Sequence, residues 1–181
     1  ETKEGSWMSL DVSPDGQTIA FDLMGDIYTM PSTGGKATAV TRGLAYDVHP
    51  RYSPDGKRLL FISDRSGSDN VWYIDMEKKD TVQVTSDNNQ NFPDACWTPD
   101  GEYIVFSKGR LILKLYMVNR KGGSGIQLIE APQGLKTIDP AISADGRYVY
   151  FSARSGPWRY NALLPQYEIG RYDREKGSMS I

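Results

Sequence analysis

The stretch that decides the fold is Ser53-Pro54-Asp55-Gly56-Lys57-Arg58-Leu59-Leu60-Phe61, a tight-turn signature followed at once by an apolar run. Proline presets φ at the second turn position, and glycine takes the positive φ that closes a short hairpin. The chain repeats this pattern three more times, with Ala144 in place of the proline in the last copy, and each copy also ends in phenylalanine. The copies begin at Ser13, Thr98 and Ser143, and their turn aspartates Asp15, Asp55, Asp100 and Asp145 are separated by 40, 45 and 45 residues.

A period of this length with short strands is typical of a β-propeller blade, because each repeat is one small sheet that needs neighbours to cover its faces. The sequence therefore predicts an all-β fold of four blades, each a four-stranded antiparallel sheet. We expect a single propeller domain or fragment, with blades at approximately residues 7–42, 46–86, 91–130 and 137–181.

Apolar residues stand on both faces of the strand that follows each turn. Leu59 and Phe61 lie on one face, because even offsets share a face of a strand, and Leu60 lies on the other. A strand with two apolar faces is expected to be buried between neighbouring blades. If so, Phe→Ala at any of the four phenylalanines should cost roughly 3–5 kcal/mol.

The two ends of the repeat array favour an incomplete, open propeller. The first repeat's inner strand begins near Trp7, and the last outer strand is Met179–Ile181. A ring of only four blades would need strongly tapered blades to close. An open stack would expose apolar faces on its first and fourth blades, which should drive self-association or require further blades.

Composition excludes several classes of partner. The 181 residues carry 21 Lys and Arg against 23 Asp and Glu, so the net charge of −2 gives no field to attract nucleic acid. No run is long enough for membrane insertion, and residues 1–6 lack the apolar segment of a signal peptide. The single cysteine, Cys96, excludes an internal disulfide.

The repeats resemble the TolB-like, WD40-like (PD40) propeller repeat of bacterial periplasmic proteins. The resemblance is carried by the four turns, by Ser63-Asp64-Arg65-Ser66-Gly67 and by Asn70-Val71-Trp72-Tyr73-Ile74-Asp75. The first repeat, from Trp7 to Thr29, is also similar to the propeller that precedes an amidohydrolase domain in some large bacterial hydrolases. Similar propellers precede serine peptidase domains, where they restrict substrate access. The resemblance implies a periplasmic or otherwise exported bacterial protein.

No catalytic motif accompanies the repeats. The string Gly122–Ile126 does not fit the G-x-S-x-G elbow of serine hydrolases, and the only histidine, His49, is too few for an amidohydrolase metal site. We therefore expect a non-catalytic module for protein–protein or interdomain interaction, with no cofactor and no metal. One alternative is the N-terminal, substrate-gating part of a larger bacterial hydrolase whose catalytic domain lies beyond residue 181, with an amidohydrolase as the first choice and a serine peptidase as the second.

Candidate interaction residues come from the repeat geometry. Six residues before each turn aspartate stands a polar residue, near one mouth of the expected central channel, and two arginines occupy matching loop positions. An insertion at residues 156–165 adds two aromatic residues that no repeat position demands. The candidates are Ser9, His49, Asp94, Asp139, Arg65, Arg154, Trp158 and Tyr160.

Two interpretations of these polar residues stay open. Such residues commonly cap strand ends and pair between adjacent blades. Alternatively, His49, Asp94 and Asp139 hold a small ligand or a cation at the channel mouth. No motif places a serine or cysteine beside His49, so the sequence does not favour a role as a catalytic base.

Overall fold

The computed structural model describes residues 4–130, 134–155 and 166–181, which form two compact units, Glu1–Asn89 and Gln90–Ile181. Each unit contains two four-stranded antiparallel sheets, which we call blades 1 to 4 in chain order. The predicted fold class, an all-β chain of four four-stranded blades, is confirmed. The expected openness of the stack depends on the mutual placement of the two units and stays a prediction, as do the single domain and the blade boundaries.

The strands of the first unit follow one another in space as they do in sequence. Blade 1 consists of β1 (Leu10–Val12), β2 (Thr18–Leu23), β3 (Asp26–Pro31) and β4 (Thr38–Ala39). Blade 2 consists of β5 (Asp47–Tyr52), β6 (Arg58–Ser63), β7 (Asn70–Asp75) and β8 (Thr81–Gln83).

The second unit repeats this order. Blade 3 consists of β9 (Ala95–Trp97), β10 (Tyr103–Lys108), β11 (Lys114–Asn119) and β12 (Ile126–Gln127). Blade 4 consists of β13 (Lys136–Ile142), β14 (Tyr148–Arg154), β15 (Glu168–Asp173) and β16 (Ser178–Ser180).

Each turn aspartate holds its own hairpin closed. In blade 2, Asp55 Oδ1 accepts hydrogen bonds from Ser53 Oγ at 2.6 Å and from the Lys57 amide at 3.0 Å. Gly56 lies at φ +68°, where a side chain would be strained, and donates its amide to the Ser53 carbonyl at 2.8 Å. The same bonds recur at Asp15, Asp100 and Asp145. Hydrogen bonding within the turn therefore accounts for the presence of aspartate at all four repeat positions.

The core of the first unit lies between its two blades. Ala20 and Ile27 of blade 1 pack against Leu59, Phe61 and Ile74 of blade 2, and all five are buried. Backbone contacts add to this packing: Asp11 Oδ2 accepts the Tyr52 amide at 2.7 Å, and Arg51 Nη1 donates to the Leu10 carbonyl at 3.2 Å. Blades 1 and 2 are therefore joined by side-chain packing with a few polar contacts.

The second unit has an equivalent core, in which Val105 and Leu115 of blade 3 pack with Val149 and Phe151 of blade 4. The Phe151 ring lies across Gly170, its register partner on β15. A Cβ on Gly170 would stand 2.2 Å from Phe151 Cε2, so only glycine admits the ring at this position.

The four repeat phenylalanines are not equally buried. Phe61, Phe106 and Phe151 are buried as expected, whereas Phe21 is only half-buried and stacks on Tyr28, with ring centroids 5.7 Å apart. Because residues alternate along a strand and Ala20 faces blade 2, Phe21 points to the opposite side of blade 1. The expected large cost of Phe→Ala therefore applies to three positions and is smaller at Phe21.

Candidate functional site

The four polar residues that precede the turns differ in backbone conformation. Ser9 and Asp94 stand just before β1 and β9, whereas His49 and Asp139 lie inside β5 and β13 at register shifts. His49 has φ +58° and Asp139 has φ +54°, and a proline follows each. Asn, Asp and His are the non-glycine residues that best tolerate this left-handed region, so the bulges account for their residue types.

The structure brings Ser9 and His49 together across blades 1 and 2. Ser9 Oγ lies 2.8 Å from His49 Nδ1, within hydrogen-bond distance. The buried carboxylate of Asp22, at the end of β2, accepts the Ser9 amide on Oδ1 at 3.0 Å and the His49 amide on Oδ2 at 2.8 Å. Pairing of these polar residues between adjacent blades was one of the two interpretations of the sequence, whereas Asp22 was not identified. The available signal was a carboxylate after Phe21, where the other repeats have Ile62, Ser107 and Ser152.

This Ser–His–Asp cluster differs from a catalytic triad. In a triad the acid orients the imidazole ring by a hydrogen bond to its second nitrogen. Here both Asp22 oxygens accept backbone amides instead, so the carboxylate ties the start of β1 to the bulge of β5. The arrangement can fix two blades against each other, which agrees with the strand-capping interpretation.

Arg65 is held inside blade 2. Its Nη2 lies 2.8 Å from each carboxylate oxygen of Asp47, whose side chain is 1% exposed. The guanidinium carbon also lies 4.9 Å from the Phe61 ring centroid and 5.3 Å from that of Trp72. The contacts of Arg65 are therefore those of a structural residue, and its partner Asp47 was not identified from the sequence.

The remaining candidates lie in the second unit. Arg154 is buried and its guanidinium carbon lies 5.3 Å from the Tyr167 ring centroid. Asp94 is also buried and its Oδ1 accepts the Ala95 amide at 2.7 Å, whereas Asp139 is exposed. Trp158 and Tyr160 lie outside the described residues.

Two clefts open on the first unit. One, of about 350 Å³, is lined mainly by apolar side chains around Asp22 and includes Trp7, Met24 and Tyr46. The other, of about 440 Å³, lies beside the turns of Asp15 and Asp55 and includes Tyr52. Burial, together with the negative charges of Asp11 and Asp15, raises the pKa of Tyr52 to about 12, so its phenol is neutral at physiological pH.

Within residues 4–130, 134–155 and 166–181, no group of three or more His, Cys, Asp or Glu side chains is placed to hold a metal ion. In the same part of the chain, no helix has the length and apolar character needed to cross a bilayer.

Four-stranded antiparallel blades, each closed by an Asp-Gly turn, define this chain as a β-propeller repeat protein. More narrowly, the chain belongs to the TolB beta propeller domain family (PD40), whose pattern it matches over residues 2–163. The resemblance drawn from the repeats is thus confirmed.

Relatives of two kinds share this similarity. The Tol-Pal system protein TolB of Wolinella succinogenes is 30% identical over 166 residues, covering 84% of this chain and 38% of that protein. Tricorn protease homolog 1 of Streptomyces coelicolor is 30% identical over 94 residues, covering 52% of this chain and 9% of that protein. The crystal structure of TolB from Acinetobacter baumannii superposes with a TM-score of 0.77 at 23% identity, covering 95% of this chain and 42% of that one. The chain thus spans less than half of each of these relatives.

Proposed function

We propose that this chain is a non-catalytic propeller module that binds another folded element, either a partner protein or a neighbouring domain, through the outward face of blade 1. The observation that carries the proposal is the exposure of that face. Leu10 and Val12 of β1 are 56% and 46% exposed, and Ile19 and Phe21 of β2 are only half-buried.

The equivalent face of blade 2 indicates which kind of surface the outward face of blade 1 can contact. Leu59 and Phe61 of blade 2 correspond to Ile19 and Phe21, and both are fully buried against blade 1. Fully burying one such side chain contributes roughly 1.5–3 kcal/mol. Covering the blade 1 face would therefore provide several kcal/mol, and a folded surface with the shape of a blade face is the natural partner.

A second candidate function is the substrate-gating part of a larger hydrolase. Its peptidase form is supported by the similarity to Tricorn protease homolog 1. The amidohydrolase form rests only on the resemblance of the first repeat. In either form the propeller would orient or restrict substrate while another domain performs the chemistry. Similarity to TolB supports an exported, periplasmic location in both cases.

Sedimentation velocity tests the interaction face directly. The isolated chain should associate as its concentration rises, because the blade 1 face of one copy finds an apolar surface on another. The double variant Leu10→Lys/Val12→Lys should remain monomeric, since two charges on this face oppose burial. Leu111→Lys provides the control, because Leu111 is an exposed loop residue of the second unit. A parent chain that stays monomeric, or a double variant that associates equally, would contradict the proposal.

Hydrolysis of a chromogenic ester tests the non-catalytic assignment. We expect no turnover above buffer. Turnover that Ser9→Ala abolishes would show that the Ser9–His49 pair acts chemically, and the assignment would be wrong.

A further inference from the structure

The cleft of about 440 Å³ on the first unit lies between the turns of blades 1 and 2, and we call it the turn cleft. This volume falls in the ~300–1,000 Å³ range of small-ligand pockets. Carboxylate, hydroxyl and phenol groups line the turn cleft, whereas no lysine or arginine of the described residues does. Its lining includes Pro14, Asp15, Thr29, Tyr52, Gly56 and Met76.

The second unit contains the same contact between neighbouring turns. In the first unit, a Cβ added to Gly56 would stand 3.6 Å from Pro14 Cδ. In the second unit, a Cβ added to Gly146 would also stand 3.6 Å from Pro99 Cδ. Each pair joins the glycine of one Asp-Gly turn to the proline of the turn before it. The two junctions can therefore be compared residue by residue.

Met76 in the first unit and Arg174 in the second occupy equivalent positions. Each directly follows the third strand of its blade. The Met76 amide donates to the Lys57 carbonyl at 2.8 Å. The Arg174 amide makes the same bond to the Arg147 carbonyl at 3.0 Å. The two units thus share the backbone geometry at this position and differ in the charge of the side chain.

The Arg174 guanidinium occupies the equivalent space in the second unit. Its Nη1 donates to the Gly146 carbonyl at 2.6 Å, and its Nη2 lies 3.8 Å from Met117 Sδ. Hydrogen bonds within its own turn lower the pKa of Asp100, and the positive charge of Arg174 lowers it further. The counterparts of these three contact residues in the first unit all line the turn cleft: Gly56, Thr29 and Asp15.

The first unit keeps these contact positions without the guanidinium. The Met76 side chain packs instead against the core between blades 1 and 2. Asp15 is exposed, and its Oδ1 accepts the Ser13 hydroxyl at 2.6 Å and the Gln17 amide at 3.0 Å. No lysine or arginine of the described residues forms an ion pair with Asp15. The turn cleft therefore has a carboxylate without a cation, where the second unit has a carboxylate beside one.

Tyr52 adds an aromatic face to the turn cleft, where the second unit has Ile142. Its phenol is neutral, because burial and the charges of Asp11 and Asp15 raise its pKa to about 12. A guanidinium is planar and can stack on an aromatic ring while it donates to a carboxylate. An ammonium is a compact point charge and does not present such a flat face. The lining therefore favours arginine over lysine.

We propose that the turn cleft binds the guanidinium of an arginine side chain supplied by a protein partner. The guanidinium stacks on Tyr52, interacts with the Asp15 carboxylate and donates to the Gly56 carbonyl. The occupant of the equivalent space in the second unit is a protein side chain, which favours a protein source over a free amino acid. The turn cleft lies between blades 1 and 2 and is separate from the outward face of blade 1, so binding here does not depend on that face.

An NMR titration of the isotope-labelled chain with Nα-acetyl-L-arginine amide tests the proposal. We expect saturable shifts of the amide signals around Asp15, Tyr52 and Gly56. Nα-acetyl-L-citrulline amide, which has a similar shape without the charge, should cause none, and Nα-acetyl-L-lysine amide should bind more weakly. Free L-arginine should bind no more tightly than the blocked amino acid, because a protein partner presents only the side chain.

Two variants and a matched control locate the binding site. Met76→Arg should abolish binding of the blocked arginine, because its own guanidinium then fills the turn cleft as Arg174 fills the equivalent space. Asp15→Asn should weaken binding roughly threefold, as expected for one exposed ion pair. Asp145→Asn is the control, because Asp145 makes the same turn bonds but does not line the turn cleft. It should leave the affinity unchanged.

Several outcomes would overturn the proposal. The titration does so if the blocked arginine causes no saturable shifts, if the citrulline or lysine derivative binds equally well, or if free L-arginine binds more tightly. The variants do so if a folded Met76→Arg chain binds the blocked arginine like the parent, or if Asp145→Asn weakens binding as much as Asp15→Asn.

Discussion

Replacing Arg65 by alanine should destabilise the first unit by about 4–5 kcal/mol. The substitution leaves the Asp47 carboxylate, 1% exposed, without the guanidinium that contacts both of its oxygens at 2.8 Å. Removing one partner of a buried ion pair costs about 3–5 kcal/mol. The Arg65 side chain is itself 25% exposed, so water can partly replace it and the lower end of the range applies. Lost stacking on Phe61 and Trp72 adds about 0.5–1 kcal/mol for each ring.

Urea unfolding followed by circular dichroism and by tryptophan fluorescence measures this change. Trp72 lies under Arg65 and should report the loss directly. Arg58→Ala is the matched control in the same blade, because its pair with Asp55 at 3.2 Å is exposed and worth at most about 1 kcal/mol. The variant Asp47→Leu/Arg65→Met, which removes both charges, should recover most of the stability. A loss below about 1 kcal/mol for Arg65→Ala would refute the claim that Asp47 depends on this arginine.

Two further predictions concern the second unit. Gly170→Ala should destabilise it by about 1–3 kcal/mol because the new Cβ meets the Phe151 ring, and Phe151→Leu in the same chain should restore part of the loss in thermal melts. Hydrogen bonds from Ser143 Oγ and the Arg147 amide lower the pKa of Asp145 below its ordinary value of 3.8. The charged Asp145 carboxylate therefore stabilises the fold above pH 3.8, and this stabilisation is lost as the pH falls through the lowered pKa. Asp145→Asn should therefore lower the Tm at pH 7 but converge on the parent in acid, and a pH-independent difference would contradict this.

The fold could be predicted from sequence because its determinants are local. Each Ser/Thr-x-Asp-Gly turn fixes a hairpin through bonds spanning two to five residues, so the turn spacing locates the strands. The alternation of apolar residues after the turn then indicates both buried faces. The exception at Phe21 reflects the position of blade 1 in the unit, which no local pattern encodes.

The candidate site was less accessible because its contacts join distant parts of the chain. Ser9 meets His49 across 40 residues, and Arg65 meets Asp47 across 18. Repeat positions identified Ser9, His49 and Arg65, but Asp22 and Asp47, which hold them, carry no motif. The residue types at His49 and Asp139 were interpreted as channel-mouth polarity, whereas their left-handed backbone supplies a sufficient physical reason.

The bulges also indicate how such a chain could lengthen during evolution. They occur at His49-Pro50 and Asp139-Pro140, in the second blade of each unit, and not at the matching positions Ser9 and Asp94. The chain therefore also has a longer repeat of two blades, in which the turn aspartates Asp55 and Asp145 are 90 residues apart. A duplication of the longer period would preserve the alternation of bulged and regular inner strands. Duplication of a single blade would place two strands of the same kind side by side.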